Sequence, residues 1–196
     1  MAASSVPALT AAYAAGKKGE AKRQIGIATR FIMVIAFPCA VGMGILASPI
    51  LQLLFRDSSE TAAHMLQVGA VTILFFSLST LSNGLLQGIG RMKEPIKNAI
   101  IALVLHLGLL AALMFLFDLN IFAVVIANAA FGLIMCILNA GSIRRYSGYH
   151  QEIRKTFFVP AIAAAGMGVV VWLVYHGILY VPVSYTHLTL PTNSLV

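Results

Sequence analysis

Residues 119–143, LNIFAVVIANAAFGLIMCILNAGSI, are the stretch of sequence that decides the fold. The stretch contains no Asp, Glu, Lys or Arg, and it exceeds the roughly 20 apolar residues that a helix needs to cross about 30 Å of hydrocarbon. Its apolar residues would cover every side of a helix, whereas a helix at the surface of a soluble protein keeps one polar face. The stretch therefore predicts a membrane-spanning helix.

The rest of the chain repeats this pattern. With 60% hydrophobic and 10% charged residues and a mean hydropathy of +0.92, it does not have the composition of a soluble globular domain. Strands of a membrane β-barrel would alternate over about 10 residues, unlike these long apolar runs. We predict an all-α, polytopic transmembrane helix bundle over residues 31–181. Its five predicted spans are 31–55, 64–90, 98–117, 119–143 and 156–181.

The basic residues lie almost entirely in alternate loops. Of the thirteen Lys and Arg residues, only Arg56 falls in a loop on the other side. Because Lys and Arg are retained in the cytoplasm, this distribution predicts five spans with a cytoplasmic N-terminus. The other twelve are Lys17, Lys18, Lys22, Arg23, Arg30, Arg91, Lys93, Lys97, Arg144, Arg145, Arg154 and Lys155.

The segment before the first span, residues 1–30, lacks the pattern of a signal peptide. Its Ala-rich sequence with scattered basic residues predicts a helix-turn-helix at the cytoplasmic interface, broken at Gly16 and Gly19. An ordinary solvated loop is the alternative. Within the spans, Pro38, Pro49 and Pro160 predict kinks, because proline deletes a backbone hydrogen bond.

The sequence contains none of the common catalytic or phosphate-binding motifs, so we predict neither an enzyme, nor a cofactor or a nucleic-acid partner. Cys39 and Cys136 lie inside apolar runs, which excludes a disulfide scaffold and a CxxC metal site. No predicted span carries a formal charge. Since intramembrane charges mark ion sites, this part of the protein is not expected to bind a coupling ion.

Neutral polar residues line up on two predicted spans. Ser79, Asn83 and Gln87 recur every four residues on the second span, and Asn98 and His106 share a face of the third. Two such stripes on helices joined by a short loop are expected to face a shared cavity. The alternative is interhelical hydrogen bonding, and for His106 it is a packed histidine within the bundle. On the fourth span, Asn128 and Asn139 lie about three turns apart and fit either role. The substrate-path candidates are Asn83, Gln87, Asn98, His106 and Asn128.

The order of residues also resembles one family. The carriers of the resemblance are VPALTAAYA (6–14), FPCAVGMGILASPI (37–50), LQGIGR (86–91) and RRYSGY (144–149). They are similar to the polysaccharide biosynthesis and lipid II flippase branch of the MOP exporters, which includes stage V sporulation protein B.

This resemblance implies that the chain is a fragment of the C-terminal lobe of a two-lobe transporter with about fourteen helices, working by alternating access. It implies a flippase of the bacterial cytoplasmic membrane that moves a lipid-linked oligosaccharide or peptidoglycan precursor, carried on undecaprenyl pyrophosphate. The missing N-terminal lobe would be its partner within the same chain, and the bilayer surrounds both.

Two alternatives to the flippase stay open, a drug/cation antiporter of the same superfamily and a non-transporting membrane scaffold. Arg91, Lys93 and Lys97 are candidates for binding a lipid headgroup, with positive-inside anchoring as their other role. Residues 182–196 are expected to be an artefact, because they resemble the translation of a sequencing adapter.

Overall fold

The computed structural model describes residues 2–56, 59–115 and 120–180. In these ranges the chain forms seven α-helices and one π-helical turn. They are α1 (Ala2–Ala14), α2 (Lys18–Ile45), α3 (Ala47–Phe55), α4 (Glu60–Gly88), α5 (Lys93–Phe115), α6 (Asn120–Ser147), the π turn (Arg154–Phe158) and α7 (Val159–Tyr180).

Five segments of the described part of the chain are long and apolar enough to cross a membrane. They are Lys18–Ile45, Glu60–Gly88, Lys93–Phe115, Ile121–Ser147 and Arg154–Gly177. The predicted all-α bundle with five spans is therefore confirmed. Three parts of the sequence prediction lie outside the described residues: Asp57 and Ser58 of the second loop, the turn at 116–119, and the adapter-like tail 182–196.

The N-terminal segment is helical on both sides of a single break. Gly16 lies in that break with φ 71°, a left-handed conformation that glycine adopts without strain. Gly19, in contrast, lies inside α2, which runs on unbroken into the first span. The predicted break at Gly19 is therefore wrong, since one glycine in a long helix costs only about 1 kcal/mol.

Two of the three span prolines coincide with an interruption of the helix. The ring of Pro49 would clash with the carbonyl of Ile45, four residues earlier, and α2 ends at Ile45. The ring of Pro160 would likewise clash with the carbonyl of Thr156, four residues earlier, and Thr156 lies in the π turn. Pro38 is contained within α2. The chain thus changes its helical geometry at Pro49 and Pro160.

The fourth span, α6, lies between α4 and α5 and packs extensively against both, whereas α4 and α5 touch each other little. Gly132 lets α6 approach α4 closely, since a methyl group there would lie 2.9 Å from Cβ of Phe75. Small residues at such points are typical of membrane helix pairs. The outer side of α5 stays exposed and apolar, with Val104 64% and Leu107 55% exposed.

One end of the bundle gathers the three basic segments, and we call it the basic end. Helix α1 packs there, with Leu9 fully buried and the Thr10 hydroxyl donating to the Gly88 carbonyl at 2.9 Å. Arg30 of α2 forms an ion pair with Glu152, N to O 2.6 Å, which joins the start of the first span to the segment before the last. The basic loops that alternate along the sequence therefore lie together at the basic end of the fold.

Candidate functional site

A chain of buried and half-buried hydrogen bonds joins three spans, and we call it the amide network. It consists of Asn83 on α4, Asn98 on α5, and Asn139 and Ser142 on α6. Asn98 Nδ2 donates to Asn139 Oδ1 at 2.9 Å and to Ser142 Oγ at 3.1 Å. Asn139 Nδ2 donates in turn to Asn83 Oδ1 at 2.7 Å. Every bond of the network crosses from one helix to another.

Asn139 is the centre of the amide network. Its side chain is fully buried, and both ends of its amide are paired, the oxygen with α5 and the nitrogen with α4. An unpaired amide in an apolar interior would cost several kcal/mol, so the pairing fixes the register of three helices at once. Because α6 lies between the other two, the polar stripes predicted on α4 and α5 meet through Asn139 rather than directly.

The network continues toward the basic end through Glu94, in the first turn of α5. Ser142 Oγ donates to Glu94 Oε2 at 3.5 Å, and the Tyr146 hydroxyl donates to Glu94 Oε1 at 2.8 Å. The Tyr146 ring is flanked by two guanidinium groups, that of Arg91 at 4.4 Å and that of Arg145 at 5.8 Å from its centre. These distances fit cation–π contacts, which hold positive charge near Glu94.

Glu94, Ser142 and Tyr146 were not among the site residues predicted from the sequence, although Tyr146 lies in the RRYSGY stretch that carries the family resemblance. Glu94 and Tyr146 lie at the edges of the apolar runs, where charges and aromatic residues normally serve as membrane anchors. Their pairing depends on the relative register of α5 and α6, which helical periodicity within one span does not contain. Glu94 lies three residues after Arg91, and this proximity of opposite charges was the available local signal.

His106 lies on α5 about two turns beyond Asn98, further from the basic end. Its Nδ1 is 3.0 Å from the Ala127 carbonyl oxygen, and its ring meets that of Phe131 edge-on at 5.6 Å. Because a carbonyl only accepts, Nδ1 carries the proton in this contact. The histidine is half-buried between α5 and α6, where it adds one more interhelical bond.

The other predicted site residues do not join the network. Gln87 and Asn128 are exposed, and Asn128 lines a groove of about 490 Å³ between α2, α4 and α6. Lys93 and Lys97 are exposed at the basic end, near the start of α5. The structure thus brings Asn83 and Asn98 together through Asn139 and leaves the remaining candidates apart from them.

Neutral amides and hydroxyls hold helices together but carry no charge across a membrane. The site is thus suited to positioning three spans, with its charged groups confined to the basic end.

Comparison with known proteins identifies the family. The family model described as lipid II flippase MurJ matches residues 2–190. A probable lipid II flippase MurJ of Bdellovibrio bacteriovorus is 31% identical over 151 residues, which cover 72% of this chain and 28% of that protein. The lipid II flippase MurJ of Bacillus subtilis is 27% identical over 178 residues, which cover 86% of this chain and 31% of that protein.

The chain spans about three-tenths of the length of these curated relatives. No solved structure matches it significantly. A flippase is a transporter rather than an enzyme, and the resemblance inferred from the sequence motifs is confirmed by the family match. On this evidence the chain, a multi-pass membrane protein, belongs to the lipid II flippase MurJ family.

Proposed function

We propose that the chain forms part of a flippase that moves lipid II, the undecaprenyl-pyrophosphate-linked precursor of peptidoglycan, across the bacterial cytoplasmic membrane by alternating access. The match of the family model to residues 2–190 is the observation that carries this proposal. Transport is assigned to the longer protein, because the chain spans only about three-tenths of its relatives.

In this proposal the amide network keeps α4, α5 and α6 together as one unit while the lobes move. Its support is that all its bonds are interhelical and that Asn139 is sealed from solvent. Asn83 and Asn98, which the sequence analysis proposed for the substrate path, would therefore act as positioning residues. His106 would pack in the same way, through its bond to the Ala127 carbonyl.

The exposed polar residues are better placed to meet a substrate. Gln87 and Asn128 are exposed on α4 and α6, so we retain both as substrate-path residues. Arg91, Lys93 and Lys97 are exposed at the basic end, where they would attract the pyrophosphate of a lipid-linked saccharide. The same charges would anchor the loop in the cytoplasm.

Complementation tests the transport proposal. The complete protein that contains this chain is expressed in cells whose own lipid II flippase is depleted. We expect growth to be restored and lipid II to become accessible at the outer leaflet. A complete protein that reaches the membrane at normal levels, yet restores neither growth nor outer-leaflet lipid II, would contradict the proposal. In that case the antiporter and scaffold alternatives would be tested next.

Orientation is tested separately by cysteine labelling. In a cysteine-free version of the complete protein, Arg56→Cys is compared with Lys97→Cys, since both positions are exposed. Arg56 directly follows α3, whereas Lys97 lies near the start of α5 at the basic end. A membrane-impermeant maleimide added to intact cells is expected to label only the first. Labelling of Lys97→Cys without permeabilisation would place the basic end outside.

A further inference from the structure

A cavity separate from the amide network lies at the basic end, on a different face of α6. It has a volume of about 310 Å³ and is enclosed by α2, α4, α6 and the segment that follows α6. On α6 its wall includes Cys136, Ala140 and Arg144, which recur every four residues, whereas the network uses Asn139 and Ser142. The two features are therefore separate.

The open side of this cavity is rich in hydrogen-bond donors. Arg144 and His150 line it and are exposed, and within the described residues Arg144 makes no ion pair. Gln151 also lines it, and its Nε2 is buried without a hydrogen-bond partner. An unpaired buried donor costs about 1 to 3 kcal/mol, which a ligand with acceptor oxygens would relieve. The donor set thus suits an anion.

Among the described residues, none of those that line the cavity is an Asp or a Glu. The nearest acid along the chain, Glu152, is neutralised by Arg30 at 2.6 Å and by Lys155 at 3.6 Å. The buried part of the wall is mixed, since Ile25 and Leu78 are apolar and Thr29 and Ser82 carry hydroxyl groups. The cavity can therefore hold a small anionic group without an opposing negative charge.

The volume of the cavity suits a small headgroup. At about 310 Å³, the cavity is many times larger than the space that one water molecule needs. Glycerol phosphate matches this volume, whereas a saccharide carrying a peptide is far larger. Basic pockets between membrane helices on the cytoplasmic side are known to bind anionic lipid headgroups.

We propose that the cavity between α2, α4 and α6 binds the headgroup of an anionic glycerophospholipid, with Arg144 and Gln151 donating to its phosphate. This site goes beyond the transport function and does not depend on it. The bound lipid would fasten the basic end of the bundle to the inner leaflet. Free phosphate and the pyrophosphate of a lipid-linked saccharide offer the same acceptor oxygens as the lipid. Competition with inorganic phosphate and inorganic pyrophosphate separates these ligands from the lipid.

The test measures lipid binding to the complete protein in detergent by native mass spectrometry. The probes are dioctanoyl phosphatidylglycerol, dioctanoyl phosphatidylcholine, inorganic phosphate and inorganic pyrophosphate. Arg144→Gln is compared with Arg145→Gln, because the second removes the same charge from the neighbouring position, whose guanidinium lies beside Tyr146 instead. Gly141→Leu, which fills the mouth of the cavity, is compared with Gly108→Leu, since a side chain at either position meets open space.

We expect phosphatidylglycerol to bind in preference to phosphatidylcholine. Arg144→Gln is expected to weaken its binding about tenfold, as the loss of a charge-assisted hydrogen bond would, and Arg145→Gln by less than about twofold. Gly141→Leu should weaken binding while Gly108→Leu does not. Equal binding of the two lipids, equal effects of the two arginine variants, or no lipid binding would overturn the proposal. Displacement of the lipid by inorganic pyrophosphate or phosphate at similar concentration would assign the site to those anions and overturn it as well.

Discussion

Replacing Asn139 with leucine tests the amide network at its centre. Leucine has a similar branched shape but cannot form the bonds to Asn83 and Asn98, so two interhelical hydrogen bonds are lost together. Such bonds in membrane proteins contribute about 0.6 kcal/mol on average and up to about 1.7 kcal/mol. We therefore expect Asn139→Leu to lower the free energy of unfolding by about 1.2 kcal/mol, and by no more than about 3.4 kcal/mol. Asn83→Leu, which removes one bond, should cost about half as much.

The measurement is reversible unfolding of the complete protein in mixed micelles by titration with sodium dodecyl sulfate, followed by circular dichroism. Asn128→Leu is the matched control on the same helix, because Asn128 is exposed and lies outside the network. We expect it to change stability by less than about 0.5 kcal/mol. The double variant of Asn83 and Asn139 should cost little more than Asn139→Leu alone, since both remove the same bond. A loss at Asn139 no larger than that at Asn128 would refute the reasoning.

Three further predictions concern helix packing, alkaline pH and His106. Gly132→Ala should lower the free energy of unfolding by about 1 to 3 kcal/mol in the same titration, because the added methyl group meets Cβ of Phe75. Gly108→Ala, which adds a methyl group in open space, should be neutral or stabilise by up to about 1 kcal/mol. Burial, together with the negative charge of the nearby Glu152, raises the pKa of Tyr149 above its ordinary value of 10.0. The free energy of unfolding should therefore be unaffected by this group below pH 10.0 and fall as the pH rises through the raised pKa. Tyr149→Phe should remove that fall in alkaline unfolding curves. His106→Leu should cost about 0.6 kcal/mol and leave complementation intact, and a loss of complementation at normal protein levels would contradict a packing role.

The number of spans could be predicted from the sequence because hydrophobicity and charge are properties of single segments. The stretch 119–143 is apolar whatever packs against it, and it is long enough to cross the hydrocarbon core of a bilayer. Helix ends were less predictable. Helix α2 starts at Lys18, well before the apolar run, since charged residues are good helix formers once the chain leaves the hydrocarbon.

The amides of the network were predictable in the same way, but their pairing was not. Asn83, Asn98 and Asn139 were recognised because amides inside apolar runs are unusual. Asn139 could not be identified as the common partner of the other two, because the order in which α4, α5 and α6 pack is not encoded in the period of any one of them. A short loop between the second and third spans suggested that their polar stripes face a shared cavity, and the structure places α6 between these two helices.

The central position of α6 has a consequence for biosynthesis. Helix α5 enters the membrane before α6 has been made, and Asn98 lies 41 residues ahead of its partner Asn139. At about 5 to 20 residues per second, a ribosome needs about 2 to 8 s to supply that partner. During this time the Asn98 amide stays unpaired, and α4 and α5 have little direct contact to hold them together. Emergence of α6 is thus the step at which three separately inserted helices become one folded unit.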